Sequence, residues 1–398
     1  MGEAVRIAAM TNLGKYKYKP DENTLGRYPT ILDILESLAD YEAELNGIRK
    51  NPLSENRQWL YRIKEPGHYF AVQSLEDPNV MVLFPTGPCA FSLYRGESKD
   101  YKECKPSILR TVDEKTLLLS RLQTEELECI LRNHPIIGEL INRPIVIEKF
   151  GVHFWLKVQF EGLAQHYGIA TPFLDMTNNK WVAAFFAITN YKDGMYHLVE
   201  PSKDQAYGCL YRWEQPNYRE KGLDVPQPLG MQYFNRPGCQ SAFALDMTRL
   251  EDLNNCAEVE RIYFRHDKEA NQLVYDLCQQ GRAFFPEDGM EELVGKLKGV
   301  KSFSEEAVER CRIKHYGDKT FEEMREMMTM SGMDIIDKPA VGFEKEQIEK
   351  ELEDWNREGR ERYLTELTTT MVGKEEGGGV IEGLMLAMRD GVLEVHAK

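Results

Sequence analysis

The sequence predicts an α+β fold: a mixed, largely antiparallel sheet flanked by helices, with an acidic helical C-terminal segment. Three observations predict it. Short apolar runs bounded by turn residues read as strands, among them Val80 to Phe84, Gly208 to Trp213 and Val259 to His266. Between them, apolar residues recur every three or four positions, the spacing of a helix face. After about residue 300 the composition turns acidic, with 23 Asp and Glu against 15 Lys and Arg.

The elements follow in order. Residues 1–25 are polar, with Lys15, Lys17, Lys19 and Pro20, and read as a loosely held arm. Thr30 to Leu45 reads as a helix with Ile31, Ile34, Leu35, Leu38 and Tyr41 on one face, started by Thr30 or Asp33. Ala71-Val72 and Val80 to Phe84 are strand-like around the turn-prone Asp77-Pro78-Asn79, and residues 85–88 form a turn. The strand carrying Tyr94-Arg95-Gly96 comes next. Pro106 to Arg110 opens a helical region that runs, with breaks, from Glu114 to Asn142. Phe154 to Tyr167 reads as one helix closed by Gly168. A further helix, Lys180 to Tyr191, is capped by Thr177-Asn178-Asn179, with Thr177 read as the N-cap. Gln215 to Met231 is a long loop rich in Pro and Gly, a kind that is often functional. Ser241 to Met247 and Val259 to His266 are strands, and Asp267 to Gln280 is a helix. The last part is helical over Glu305 to Tyr316, Thr320 to Met330 and Glu344 to Met371, before the break at Gly377–Gly379. The chain divides as an N-terminal extension (1–86), a central domain (87–297) and the acidic segment (298–398).

Composition limits the function. The formal net charge of −15 argues against broad nucleic-acid binding, which needs basic surface. No run has the length of a transmembrane helix, and the N-terminus lacks the layout of a signal peptide. The eight cysteines include no Cys-x-x-Cys pair, so a zinc or redox site is not expected and a cytoplasmic location is. No acidic cluster with histidine stands at metal-binding spacing, so no metal is expected. Gly377–Gly379 follows no strand and is no P-loop, and neither His-Glu-x-x-His nor Gly-x-Ser-x-Gly occurs.

Two segments concentrate the chemistry. Tyr94-Arg95-Gly96 delivers a permanently charged fork of donors suited to phosphate or carboxylate, then a glycine that allows close backbone approach to a ligand. Arg95 is equally read as a structural partner of Glu97, Asp175 or a helix end. About seventy residues on, Gln165-His166-Tyr167-Gly168 and Thr171-Pro172-Phe173-Leu174-Asp175 form a polar cluster in an apolar stretch. His166 is an acid–base group near neutrality or a helix-end histidine. Tyr167 stacks on a ring or belongs to the core. Thr171 orients a substrate, and Asp175 is a base or a partner of Arg95.

These blocks resemble the FRG domain, a bacterial and phage-associated family named for an aromatic-Arg-Gly motif. Tyr94-Arg95-Gly96-Glu97 with Lys105 to Arg110 makes the first block, Gln165 to Thr177 with Ala183-Ala184-Phe185-Phe186-Ala187 the second, and Arg236 to Phe243 with Phe284 to Asp288 the third. The likeness spans roughly residues 87–297. The chain departs from it at Pro172, where family members usually carry arginine. The block order is also similar to the layout of ADP-ribosyltransferases, and this likeness implies NAD as the bound substrate. Tyr94, Arg95 and Gly96 would anchor the dinucleotide. His166 and Tyr167 would shape the nicotinamide side, Thr171 and Asp175 would orient the ribose, and Gln240 would face the anomeric carbon from a late strand. Glutamine there carries no charge to stabilise a cation. The implied role is an effector in bacterial toxin action or antiphage defence. The alternative is a non-enzymatic module that senses a nucleotide or peptide. Its C-terminal helices would then cover the main domain, meet a protein partner or pair with a second copy.

Overall fold

The computed structural model describes residues 13–45, 69–74, 80–85, 92–110, 113–142, 145–147, 152–156, 158–214, 226–229, 234–249, 252–256, 259–360, 384–389 and 392–397. The first half of the expected arm, the turns at 77–79 and 86–88, most of the 215–231 loop, the last helix beyond 360 and the glycine run at 377–379 lie outside the described residues.

Ile31–Leu45 forms α1, as its spacing predicts. The strands β1 (Tyr69–Ser74) and β2 (Val80–Pro85) pair antiparallel, and β3 (Ser92–Glu97) carries the Tyr-Arg-Gly sequence. Asp113 starts α2 (Glu114–Asn133) by accepting from the Lys115 and Thr116 amides, and α3 (Pro135–Asn142) follows. The expected helix from Phe154 to Tyr167 is wrong in its first part. β4 (Ile145–Ile147) pairs with β5 (Val152–Leu156), and α4 spans just Phe160–His166. Val152, Phe154 and Trp155 are β-branched or aromatic and suit a pleated surface. Gly168 ends the turn with φ of 86°, as expected.

β6 (Phe173–Thr177) leads into α5 (Lys180–Ala187). Two expectations fail here. The cap is Asn179, whose side chain accepts from the Trp181 amide at 3.0 Å. Thr177 instead bridges two segments: its hydroxyl accepts from the Asn179 amide at 2.9 Å and donates to the Gln240 carbonyl at 2.7 Å. The helix also stops at Ala187 rather than Tyr191. β7 (Thr189–Lys192) and β8 (Met195–Leu198) form a hairpin around Asp193 and Gly194, with φ of 51° and 80°. An Asp-Gly pair in the left-handed region is what a two-residue hairpin turn favours.

β9 (Tyr207–Glu214), β10 (Gln227–Pro228), the single turn α6 (Arg236–Cys239), β11 (Ala242–Asp246), β12 (Val259–Arg265), α7 (Lys268–Leu277) and α8 (Gly289–Lys298) complete the centre. The acidic segment is not helical throughout. It holds β13 (Ser302–Ser304), α9 (Glu305–His315), α10 (Phe321–Met330), β14 (Asp334–Ile336), α11 (Lys345–Asp354), β15 (Leu384–Arg389) and β16 (Val392–Ala397).

The central sheet is antiparallel in the order β10-β11-β6-β3-β9-β12. Alternation along its strands builds two cores. Tyr94, Leu210, Ile262 and Phe264 face α1, α5 and α7. Leu93, Cys209, Tyr211, Trp213 and Tyr263 pack on the opposite side with Leu174, Phe243 and Leu253. A second, mixed sheet runs β16-β15-β1-β2-β5-β4 and so joins the two ends of the chain. The C-terminal segment packs on α2 through Leu118, Leu122, Phe303, Val308, Met324 and Met328. Buried Glu126 of α2 accepts from the Ser304 amide and hydroxyl at 3.0 and 2.6 Å, and Ser304 caps α9. Trp355, at the end of α11, is buried and donates to Glu139 of α3 at 3.2 Å.

Gly96 sets the spacing between sheet and helix. A Cβ there would stand 1.8 Å from the Ala183 carbonyl oxygen and 2.7 Å from the Ala187 amide nitrogen. Both are helix backbone, which cannot rotate away. Gly96→Ala is expected to cost about 3 kcal/mol, the upper range for overpacking, read as a lower urea midpoint. Glu126→Ala leaves the Ser304 donors unpaired and is expected to cost about 2 kcal/mol by the same measurement.

Candidate functional site

The central sheet is almost two sheets. β11 and β6 pair at five positions and β3 and β9 at six, whereas β6 and β3 meet at one, Thr177 with Tyr94. Beyond that position the strands part. Arg95 spans the gap, donating from one terminal nitrogen to the Asp175 carbonyl at 2.9 Å. A cleft of about 450 Å³ opens at this fork, a usual size for small-molecule sites.

Arg95 enters the cleft because it sits at the fork, one residue past the shared pair. Its Nε lies 3.5 Å from Glu97 Oε1. Glu97 is itself buried, taking a hydrogen bond from the Cys104 thiol at 3.2 Å and another from the Tyr211 hydroxyl at 3.2 Å. Burial opposes the guanidinium charge, but the surrounding Cys104, Glu97, Asp175 and Tyr211 outweigh it and hold the Arg95 pKa above its usual value. Burial pushes the Cys104 thiol up to about 12, which rules it out as a ready nucleophile.

His166 arrives from the end of α4 and Asp175 from the middle of β6. The His166 side chain is 3% exposed and that of Asp175 38%, and His166 Nε2 stands 3.4 Å from Asp175 Oδ1. Burial lowers the His166 pKa and Arg236 adds to this, against the opposing pull of Asp175 and of the neighbouring Gln240 side chain. The ring is therefore neutral at pH 7. Three buried polar atoms on this floor, Arg95 Nε, His166 Nε2 and Asp175 Oδ1, have no hydrogen-bond partner.

The structure brings Tyr94, Arg95, Gly96, His166, Asp175 and Gln240 to the cleft. Gly96 serves the helix contact described above rather than leaving its backbone open to a ligand. Gln240 is not on a strand. It follows α6 in a turn, buried, and its Nε2 donates to the Phe284 carbonyl at 3.2 Å. Tyr167 and Thr171 do not line the cleft. Tyr167 is buried in the α4–α8 core with its hydroxyl on Asp288 and Arg236 4.4 Å above its ring. Thr171 pairs with the Gln165 side chain at 2.9 Å.

Other lining residues escaped the sequence reading. Arg110 is exposed at the mouth, its Nε bonded to the Lys105 carbonyl at 3.0 Å. Phe186, Tyr191 and Tyr196 make an aromatic wall with ring centroids 4.9 to 5.4 Å apart along the Tyr191–Tyr196–Phe186 chain. The missed Asp-Gly turn was the signal for Tyr191 and Tyr196. Arg236 supports the floor from behind, donating to the His166 carbonyl at 3.3 Å and pairing with Glu291 at 2.8 Å.

Residues 91–195 match the family model of the FRG domain. The chain carries an FRG domain. The match takes in β3, β6, α5 and β7 with the turn after it, elements around the cleft, and leaves β8 beyond Met195, with Tyr196, and the Gln240 turn outside. No curated protein and no solved structure matches the chain. Among the described residues, one group, Glu125 and Glu161 within the FRG match and His315 beyond it, has metal-like spacing. Lys314 sits among them, 3.1 and 2.7 Å from the two carboxylates. No described helix is long and apolar enough to cross a membrane.

The imidazole of His166 is expected to titrate below the ordinary histidine range of about 6.5. Asp175→Asn, which removes the charge favouring protonation, should lower it further. Histidine ring resonances followed against pH check both.

Proposed function

We propose that the FRG-domain cleft binds a nucleotide, with NAD as its ligand, and directs transfer of the ADP-ribosyl group. The observation that supports this reading is a set of buried polar atoms that lie in ion-pair range but make no hydrogen bond, Arg95 Nε beside Glu97 and His166 Nε2 beside Asp175 Oδ1, at one cleft. Buried polar groups without a hydrogen bond are few in folded proteins, and a polar ligand supplies what these lack. Arg110 at the mouth and Arg95 on the floor suit phosphate. Phe186, Tyr191 and Tyr196 offer faces for a base or pyridine ring.

In such a transfer the nicotinamide–ribose bond breaks, nicotinamide leaves with the bond's electron pair, positive charge develops on the ribose, and an incoming nucleophile, water or a protein side chain, bonds to the anomeric carbon and gives up its proton. Gln240 brings no charge and its amide is engaged by Phe284; of the two carboxylates lining the cleft, Glu97 is buried and taken by Cys104 and Tyr211, which leaves Asp175. Its partial exposure lets it face that charge, where a fixed carboxylate stabilises the transition state. The second reading is nucleotide sensing without turnover. Pro172 in place of the family's arginine and the neutral Gln240 favour it.

Calorimetry on the full chain is expected to give heat with NAD, and Arg110→Ala should weaken binding about tenfold, the loss of one charge-assisted contact. Free nicotinamide released over time, and abolished by Asp175→Ala, distinguishes transfer from sensing. Absence of heat with NAD overturns the nucleotide reading.

A further inference from the structure

Of the three rings in the aromatic wall, two are engaged by the protein itself. Tyr196 stacks on Phe285 with centroids 4.9 Å apart and planes 26° apart. Phe186 meets Tyr196 and Phe285 edge-on at 5.4 and 6.2 Å, and both wall rings pack against the core beneath α5. Tyr191 touches Tyr196 in a tilted contact at 4.9 Å and remains 63% exposed where it lines the cleft. A packed tyrosine buries about 150–250 Å², so this ring forgoes most of that gain while the cleft is empty. Its strand is tied down at the root. Asn190 and Gln205 exchange amide hydrogen bonds at 3.1 and 3.2 Å, the Ser98 hydroxyl donates to Asn190 Oδ1 at 2.7 Å, and the Thr189 hydroxyl donates to the Phe185 carbonyl at 2.8 Å. Across the hairpin, the Tyr275 hydroxyl donates to the Tyr196 carbonyl at 3.0 Å.

We propose that Tyr191 is a stacking platform for the adenine base of the bound dinucleotide and recognises that base by its face rather than its edge. The inference rests on the nucleotide reading and specifies which end of the ligand lies at the lip. In that reading the bond that breaks lies by Asp175, so the nicotinamide end is inside the cleft and the adenine end reaches the mouth. Arg110, exposed at the same mouth, suits the diphosphate between them. An aromatic ring stacks on any purine, because every base has a π-face. The base edge is not read, for two reasons. The polar side chains beside Tyr191 are spent on one another, with Asn190 Oδ1 already accepting two hydrogen bonds. At an open lip, moreover, the edge keeps its bonds to water, and exchanging one such bond for another gains little.

The test is calorimetry and proton resonance with NAD on the full chain. Tyr191 is exposed, so replacing it leaves the fold intact. Tyr191→Ala is expected to weaken NAD binding about tenfold, and Tyr191→Phe, which keeps the ring, less than about twofold. The hypoxanthine counterpart of NAD should bind within about threefold of NAD itself. On binding, the adenine H2 and H8 resonances should move upfield, and Tyr191→Ala should remove that move while the nicotinamide resonances keep theirs. Unchanged affinity in Tyr191→Ala, an equal loss in Tyr191→Phe, a larger loss with hypoxanthine, or a shift lost from the nicotinamide protons instead overturns the inference and leaves the nucleotide reading standing. Absence of heat with NAD overturns the nucleotide reading and this inference with it.

Discussion

The fork between β3 and β6 depends on one guanidinium. Where a continuous sheet would place ladder hydrogen bonds, Arg95 reaches across to the Asp175 carbonyl. A ladder would close the gap, while an open gap with no bridge would leave backbone groups unsatisfied. The arginine does neither: it ties the two halves and keeps them apart. It can do so because Glu97, Cys104 and Tyr211 form a buried acidic cradle beneath it. On the other side, the bare backbone of Gly96 lets α5 press against the sheet and form one wall of the cleft.

This arrangement explains what could be read from the sequence and what could not. Arg95, His166 and Asp175 were legible because a charged or titratable residue in an apolar strand or helix end needs a reason. Gly96 was legible as a close-approach glycine, but not its partner. Sequence says that a Cβ is missing, not which atoms fill its place. Tyr167 and Thr171 look as polar as their neighbours in the text, yet they point to the far side of α4 and into a local turn. One residue of rotation on a helix decides which face of the molecule a side chain joins.

The errors in secondary structure share a cause. Val152 to Leu156 and Thr189 to Lys192 are short runs of β-branched and aromatic residues next to helices. Periodicity alone does not separate them from a helix end. Their strands exist because partners elsewhere, Ile145 to Ile147 and Met195 to Leu198, accept their hydrogen bonds. The Asp193-Gly194 turn was the local clue, and it carries Tyr191, 63% exposed, at the lip of the cleft. The N-terminal extension and the last strands of the chain meet in the second sheet through a parallel pair, Gln73 with Ala387, which no local pattern foretells.

The acid-rich last quarter of the chain looks separable by composition, yet it is wired into α2. Glu125, Glu126 and Glu128 lie buried on that helix; Glu128 pairs with Arg132 of the same helix, but Lys314, Arg310 and Ser304, which meet all three, come from the segment beyond residue 300. Burying carboxylates without such compensation is costly. A fragment trimmed back to the FRG match would therefore keep the acids and, Arg132 beside Glu128 apart, lose the partners that Lys314, Arg310 and Ser304 supply. The boundaries of a recognisable sequence domain are here not the boundaries of an electrostatically self-sufficient body.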